Sequence, residues 1–133
     1  MKKLLTLTLL TLAGCSTGGG VHAPVDHVDY NAISHDPFWL VSIGDDRIVL
    51  TMGPEGGRAD GELVDHQFPR VLPVTAADGT RRWEAQNGAH IVSIEAKPGS
   101  CKTGGRSYAE ATHVRFNGRD MYGCGGREVA AGA

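Results

Sequence analysis

Phe38-Trp39-Leu40-Val41-Ser42-Ile43-Gly44-Asp45-Asp46-Arg47-Ile48-Val49-Leu50-Thr51-Met52 is the stretch that decides the fold. An apolar, β-branched run leads into Gly44-Asp45-Asp46, a turn, and a second run returns from it. In the returning half Ile48, Leu50 and Met52 share one face, and Arg47, Val49 and Thr51 the other. A period of two is the mark of a strand with one buried face. The chain opens its structured part with a β-hairpin, and the rest follows the same grammar.

Working toward the C-terminus, Gly53-Pro54-Glu55-Gly56-Gly57 breaks the second strand. Residues 58–70 read as an irregular strand or a long loop. Val71 to Thr75 contains Pro73, which cannot donate to a ladder, so it reads as an edge strand. Ala77-Asp78-Gly79-Thr80 turns it, and Arg81 to Ala85, carrying Trp83, pairs back. Asn87-Gly88 and Asn117-Gly118 are hairpin signals. His90 to Ala96 is a strand with Val92 and Ile94 inward, ended by Lys97-Pro98-Gly99-Ser100; His90 and, further on, His113 are placed outward. Cys101 to Ala111 reads as a glycine-rich loop followed by one helical turn. Thr112 to Phe116 and Met121 to Cys124 are the last two strands. The expectation is an all-β domain of about seven to eight antiparallel strands, a small barrel or a sandwich. The barrel is preferred because closure removes exposed edges. Nineteen glycines in 133 residues, about twice the usual ~7%, suit many turns. Trp39, Phe38 and Trp83 are core candidates. The domain is placed at residues 36–127, with 128–133 as a frayed tail.

Working toward the N-terminus, Asp26 to Asp36 is polar, and residues 16–25 are rich in glycine. Together with Cys15 they read as a tether, 15–35. Before it stands Met1-Lys2-Lys3, an apolar run from Leu4 to Leu12, then Ala13-Gly14-Cys15. About nine apolar residues fall short of the roughly 20 that span a bilayer, so residues 1–14 read as a secretory signal. Leu12-Ala13-Gly14-Cys15 resembles the lipobox of bacterial lipoproteins. That resemblance implies cleavage before Cys15 and a covalent lipid on its sulfur. Several acyl chains at one terminus make a stable membrane anchor, where one chain binds only reversibly. Ser16 after the cysteine is similar to the outer-membrane sorting signal, so the implied location is the outer membrane with the domain facing the periplasm.

Without Lys2 and Lys3, the 13 basic residues fall to 11 against 15 acids. A mature charge of about −4 with no basic stripe argues against a nucleic-acid partner. Cys101 and Cys124 are an even pair in an oxidising compartment, which implies a disulfide. Closing that loop stabilises the fold by about 3 kcal/mol in the chain-entropy picture. No Cys or His stands at zinc-ligand spacing beside either of them.

Catalytic patterns are missing from the sequence. No serine sits in Gly-x-Ser-x-Gly, and Gly56-Gly57 and Gly104-Gly105 lack the Lys-Ser/Thr of a phosphate loop. Asp45-Asp46 is a solvated turn. No cofactor beyond the lipid on Cys15 is expected, and the role is read as non-enzymatic. His22, His27 and His35 lie among Asp26, Asp29 and Asp36. Imidazole with carboxylate suits zinc or copper; a solvated polar linker is the plainer reading of the same residues.

Three islands carry a wider resemblance: Asp36-Pro37-Phe38-Trp39, Cys101 followed by Tyr108, and Tyr122-Gly123-Cys124-Gly125-Gly126. With the lipobox they resemble a family of small bacterial envelope lipoproteins. That family has an acidic-Pro-Phe-Trp start, a cysteine loop ending in Tyr and a Gly-Cys-Gly end. Its loops carry an acidic residue and Met-Ser, where this chain has Lys102-Thr103-Gly104-Gly105-Arg106-Ser107. A second resemblance is to membrane-bound inhibitors of c-type lysozyme. Gly104-Gly105-Arg106-Ser107-Tyr108 echoes their loop, and Tyr122-Gly123-Cys124 echoes their end, although Arg127 stands where they have a final Gly. This implies a binding loop of Lys102, Gly104, Gly105, Arg106, Ser107 and Tyr108. A basic tip of that kind suits the two-carboxylate cleft of a lysozyme. The expectations are an envelope binding or protective module, a lysozyme inhibitor, or a metal-binding tether.

Overall fold

The computed structural model describes residues 25–53 and 62–130. The leader 1–14, Cys15, His22, Gly56-Gly57 and the last three residues lie outside the described residues. Within them the chain is all-β, with nine strands and no helix. The strands are β1 (Tyr30–His35), β2 (Phe38–Ile43), β3 (Arg47–Met52), β4 (Val64–Pro69), β5 (Val74–Thr75), β6 (Arg81–Asn87), β7 (His90–Thr103), β8 (Arg106–Phe116) and β9 (Arg119–Val129).

All pairings are antiparallel, in the single order β4-β3-β2-β1-β9-β8-β7-β6-β5. Two meanders, β1–β4 and β5–β9, are therefore sewn together where the first strand meets the last. The sheet curls into a half-barrel. Its end strands, β4 and β5, are consecutive in the chain, so residues 70–73 cross the opening. Across it Asn87 Nδ2 donates to the Gln67 carbonyl at 2.8 Å, but no ladder joins β4 to β5 or β6. The expected all-β class holds. Among the described residues no backbone ladder closes the sheet into a full barrel, and side chains such as His66 and His90 meet across the gap instead.

The core lies on the concave face. Ile48 and Leu50 from β3 meet Trp39, Val41 and Ile43 from β2, Trp83 and Ala85 from β6, and Val92, Ile94, Val114, Phe116 and Met121 from the long strands. Trp39 and Trp83 are buried as expected, and Phe38 is half-buried. His113 is half-buried on the outward side beside Tyr122, whereas His90, expected outward, is exposed but shares the face of Val92 and Ile94 and packs on Phe116. Burying Trp39 and Tyr30 needs space on β9, and Gly123 and Gly125 supply it. A Cβ at Gly123 would lie 2.6 Å from the Trp39 ring, and one at Gly125 would collide with the Tyr30 hydroxyl.

Four boundaries differ from the sequence reading. First, structure starts before Asp36. Tyr30, Ala32 and Ser34 alternate inward on β1, inside the stretch read as tether. Even the residues before β1 are docked: Asp45 N donates to Asp26 O, and Asp26 N to Asp46 Oδ1, at 2.9 Å each. Second, Lys97-Pro98-Gly99-Ser100 does not end a strand. The irregularity between Pro98 and Cys101 is taken up as a bulge, and pairing resumes at Cys101–Tyr108. Third, no helical turn occupies Cys101 to Ala111, which belongs to β7 and β8. Fourth, Glu128 and Val129 pair with Tyr108 and Ser107 rather than fraying. Val49, expected outward, is buried, as is its cross-strand partner Ser42.

Candidate functional site

The loop singled out from sequence is a hairpin. Thr103 pairs with Arg106, leaving Gly104 and Gly105 as a two-residue turn with φ of 57° and 75°. Two successive positive φ values fit only the tightest primed turns, where glycine is favoured. The hairpin does not project from the sheet. Lys97 is in register with Ala111, and Ala111 with Cys124, two strands away. Cys101 lies four residues beyond Lys97, about 13 Å at strand rise. Yet its Cα is 5.5 Å from that of Cys124, to which it is disulfide-bonded. The hairpin must turn back across the sheet, and the register shifts at Pro98/Cys101 and Tyr108/Glu110 are where it does so. A bulge is a usual way to re-aim a strand.

Cys124 faces the convex side, since Met121, Gly123 and Gly125 take the concave one. The folded-back hairpin therefore lies on the outer surface of β9 and β1. At its tip Thr103 Oγ1 and His35 Nδ1 share a hydrogen bond of 3.2 Å. Any side chain at Gly104 would collide with the His35 ring. Beneath it runs a groove of about 280 Å³, lined by Asn31, Ile33, Leu40, Tyr108, Cys124 and Glu128.

The predicted binding residues are brought together, with different freedoms. Lys102, Gly104, Gly105 and Arg106 are exposed, and Ser107 and Tyr108 are half-buried. Arg106 Nη1 lies 3.5 Å from Glu128 Oε2 while remaining 66% exposed. Both partners are wet, so the pair orients the guanidinium at little energetic gain. Lys102 stands across from Ser107 on the neighbouring strand. A basic edge results, its backbone held at the disulfide and at His35.

Among the described residues, the tether histidines His27 and His35 are not brought together. His27 Nδ1 lies 3.6 Å from Asp45 Oδ2, before β1 begins. His35 ends β1, on Thr103. The length of β1 alone separates them by about 17 Å at strand rise, too far for one ion. No group of three metal-ligating side chains occurs among the described residues.

The chain matches no family model, no curated protein and no solved structure.

The sequence reading missed a second constellation, on the concave face. Tyr30 and Trp83 stack with centroids 5.3 Å apart at 20°. The Arg81 guanidinium sits 5.2 Å from one ring centre and 5.1 Å from the other, a cation–π arrangement. Arg81 Nη2 also donates to both Glu110 oxygens, at 3.2 and 3.1 Å. Tyr30 Oη and Thr112 Oγ1 share a 2.6 Å hydrogen bond. Burial pushes the Tyr30 hydroxyl up to about 12, against the opposing pull of the Thr112 hydrogen bond; Glu110 adds to the rise and Arg81 opposes it. The cluster ties β1, β6 and β8 together through these contacts. Arg81 and Trp83 flank one position on β6, which is a visible signal. Glu110 lay in the supposed helical turn and gave none.

At the other end of the half-barrel His66 and His90 pack on Phe116, with His66 4.6 Å and His90 5.5 Å from it between ring centres. Burial lowers the His66 pKa, and the neighbouring His90 lowers it further, partly offset by Asp65.

Proposed function

We propose that this chain is an outer-membrane lipoprotein, anchored through a lipid on Cys15, whose periplasmic domain works by binding. Its recognition edge is the hairpin carrying Lys102, Arg106 and Tyr108. The observation that supports this reading is the back-folded hairpin itself. Glycine-rich basic loops are ordinarily mobile, and ordering one on binding costs affinity. Here the disulfide to Cys124 and the contact with His35 remove that cost in advance. Two cations on an ordered edge suit an acidic protein surface.

The same edge supports inhibition of a c-type lysozyme as the sharper form of the proposal. A cleft flanked by carboxylates presents the charge that Lys102 and Arg106 would meet. The reading requires the lysozyme to accept a flat edge, since the tip rests on His35 instead of standing free. The test is titration of the purified, oxidised protein into a c-type lysozyme cell-wall hydrolysis assay. Inhibition at or below the micromolar range, lost on Arg106→Ala, supports the inhibitor. No inhibition at tens of micromolar removes it and leaves the search for an acidic partner by crosslinking in cells. The anchor is tested separately: radiolabelled fatty acid is expected on the native protein and absent from Cys15→Ser.

A further inference from the structure

The seam between the two ends of the sheet is bridged, among the described residues, by side chains and not by a ladder. Asn87 Nδ2 reaches the Gln67 carbonyl at 2.8 Å. Beside it the His66 ring of β4 meets the His90 ring of β7 edge-on, 5.0 Å between centres at 62°. Both rings rest on Phe116 of β8, which is buried together with Phe68.

The hydrogen bonds around His90 fix the form in which this contact is made. Ile91 N–H donates to Asn117 Oδ1 at 2.9 Å, so the Asn117 oxygen is committed to the backbone. Its Nδ2 is thereby turned to His90 Nδ1, 2.9 Å away, and an amide nitrogen only donates. His90 Nδ1 accepts that bond, which requires it to be without a proton. A proton there would set two donors face to face, and rotating the Asn117 amide to relieve them would break the Ile91 bond.

His66 is the half-buried member of the pair. Burial and, next, His90 hold its pKa below the ordinary value of 6.5. The charges about it are mixed. Asp65, its neighbour on β4, favours the charged ring but accepts from Thr51 Oγ1 at 2.6 Å. Glu62, ahead of β4, and Arg119, at the start of β9, line the same cavity as His66 with opposite signs. From β3, β6 and β8 come Leu50, Asn87 and Phe116, which carry no charge.

We propose that this seam is a pH-operated latch: neutral His66 and His90 hold β4 against the β6–β7 hairpin, and protonation of the pair in mildly acidic medium releases it. Two imidazolium rings at that separation repel, and a proton on His90 Nδ1 also breaks the Asn117 bond. The closed form takes up protons less readily than the open one. Closure is therefore fully favoured above pH 6.5, where the solvated ring is also neutral, and weakens as the pH falls below it. For one proton that the closed form does not take, the open form gains up to about thirtyfold between pH 7.5 and 5.0. Opening uncovers Phe116 and Phe68, an apolar end of the core. Neither the lipid anchor nor the basic hairpin takes part in the latch.

The test is nuclear magnetic resonance on the purified, oxidised protein. Relaxation dispersion at the Gln67 and Phe116 amides counts a minor open form in microsecond-to-millisecond exchange. The open-to-closed ratio is expected to rise about ten- to thirtyfold from pH 7.5 to 5.0, while the Ile94–Val114 contact across β7 and β8 persists. His66→Phe keeps a ring on Phe116 and takes no proton, so its rise is expected to be at most a few-fold. His66→Gln serves as a second variant should His66→Phe fail to fold. An open form still undetectable at pH 5.0, a rise as large in the variant as in the native protein, or loss of the Ile94–Val114 contact together with the seam would overturn the latch.

Discussion

Two hairpins of this sheet meet the same problem and resolve it in opposite ways. The β7–β8 hairpin and the β5–β6 hairpin both run past the packed core, where paired strands have little left to bury. The first bends at two bulges, folds onto the convex face and is fixed there by Cys101–Cys124 and His35. The second is left open, with Leu72 and Val74 in water and a proline limiting what can pair with them. The difference teaches that where a hairpin lies beyond the core is set here by a covalent tie and a landing surface.

The strongest way to break the comparison is to cut the tie. Replacing both cysteines, Cys101→Ser with Cys124→Ser, is expected to cost about 3 kcal/mol. The readout is urea denaturation with the core fluorescence of Trp39 and Trp83. An unchanged midpoint would mean the hairpin holds without its disulfide.

The next test loads the opposite, concave face of the strand that carries Cys124. Gly125→Ala forces a methyl group against the Tyr30 hydroxyl, and overpacking a filled core costs about 2 kcal/mol. The loss is expected to appear in the thermal midpoint, with the disulfide still intact by mass.

A smaller effect is expected at Tyr30→Phe, which removes the hydrogen bond to Thr112 at about 1 kcal/mol. It also changes the alkaline limb. The folded pKa is raised from 10.0 to about 12, so the folded state keeps a proton that the unfolded chain releases. Tyr30 therefore contributes fully below pH 10, and its contribution is lost as the pH rises toward 12. Stability measured across that window should fall less steeply in Tyr30→Phe than in the native protein. Equal slopes would mean that Tyr30 is solvated.

Arg106→Ala is expected to change stability least, by under about 0.5 kcal/mol, because its pairing with Glu128 is in water. A larger loss would move Arg106 from a recognition residue to a structural one.

Much of the fold was legible. The Phe38–Met52 hairpin, the Asn117-Gly118 turn, the edge character around Pro73 and the cysteine pair all rest on local chemistry that tertiary context did not overrule. β1 was not legible because its inward residues after Tyr30 are Ala32 and Ser34, too small and too polar to print a pattern. They suffice only because Trp39 and Tyr30 fill the space left by Gly123 and Gly125 on the neighbouring strand. The continuation of β7 was hidden by Pro98-Gly99, which reads as a stop and serves as a bulge. At the site, the residues of the basic edge were named from sequence, but their posture was not. Nothing local says that a hairpin will fold over its own sheet, and His35, its landing point, was read as a metal candidate.

The measurement that bears most directly on the account is amide hydrogen exchange across Thr103–Tyr108, compared between the oxidised and the reduced protein. Slow exchange is expected at Thr103, Arg106 and Tyr108 in the oxidised form, with protection lost on reduction while Val92 and Val114 stay protected. Fast exchange at the hairpin with the disulfide intact would contradict it, because the edge would then be a mobile loop.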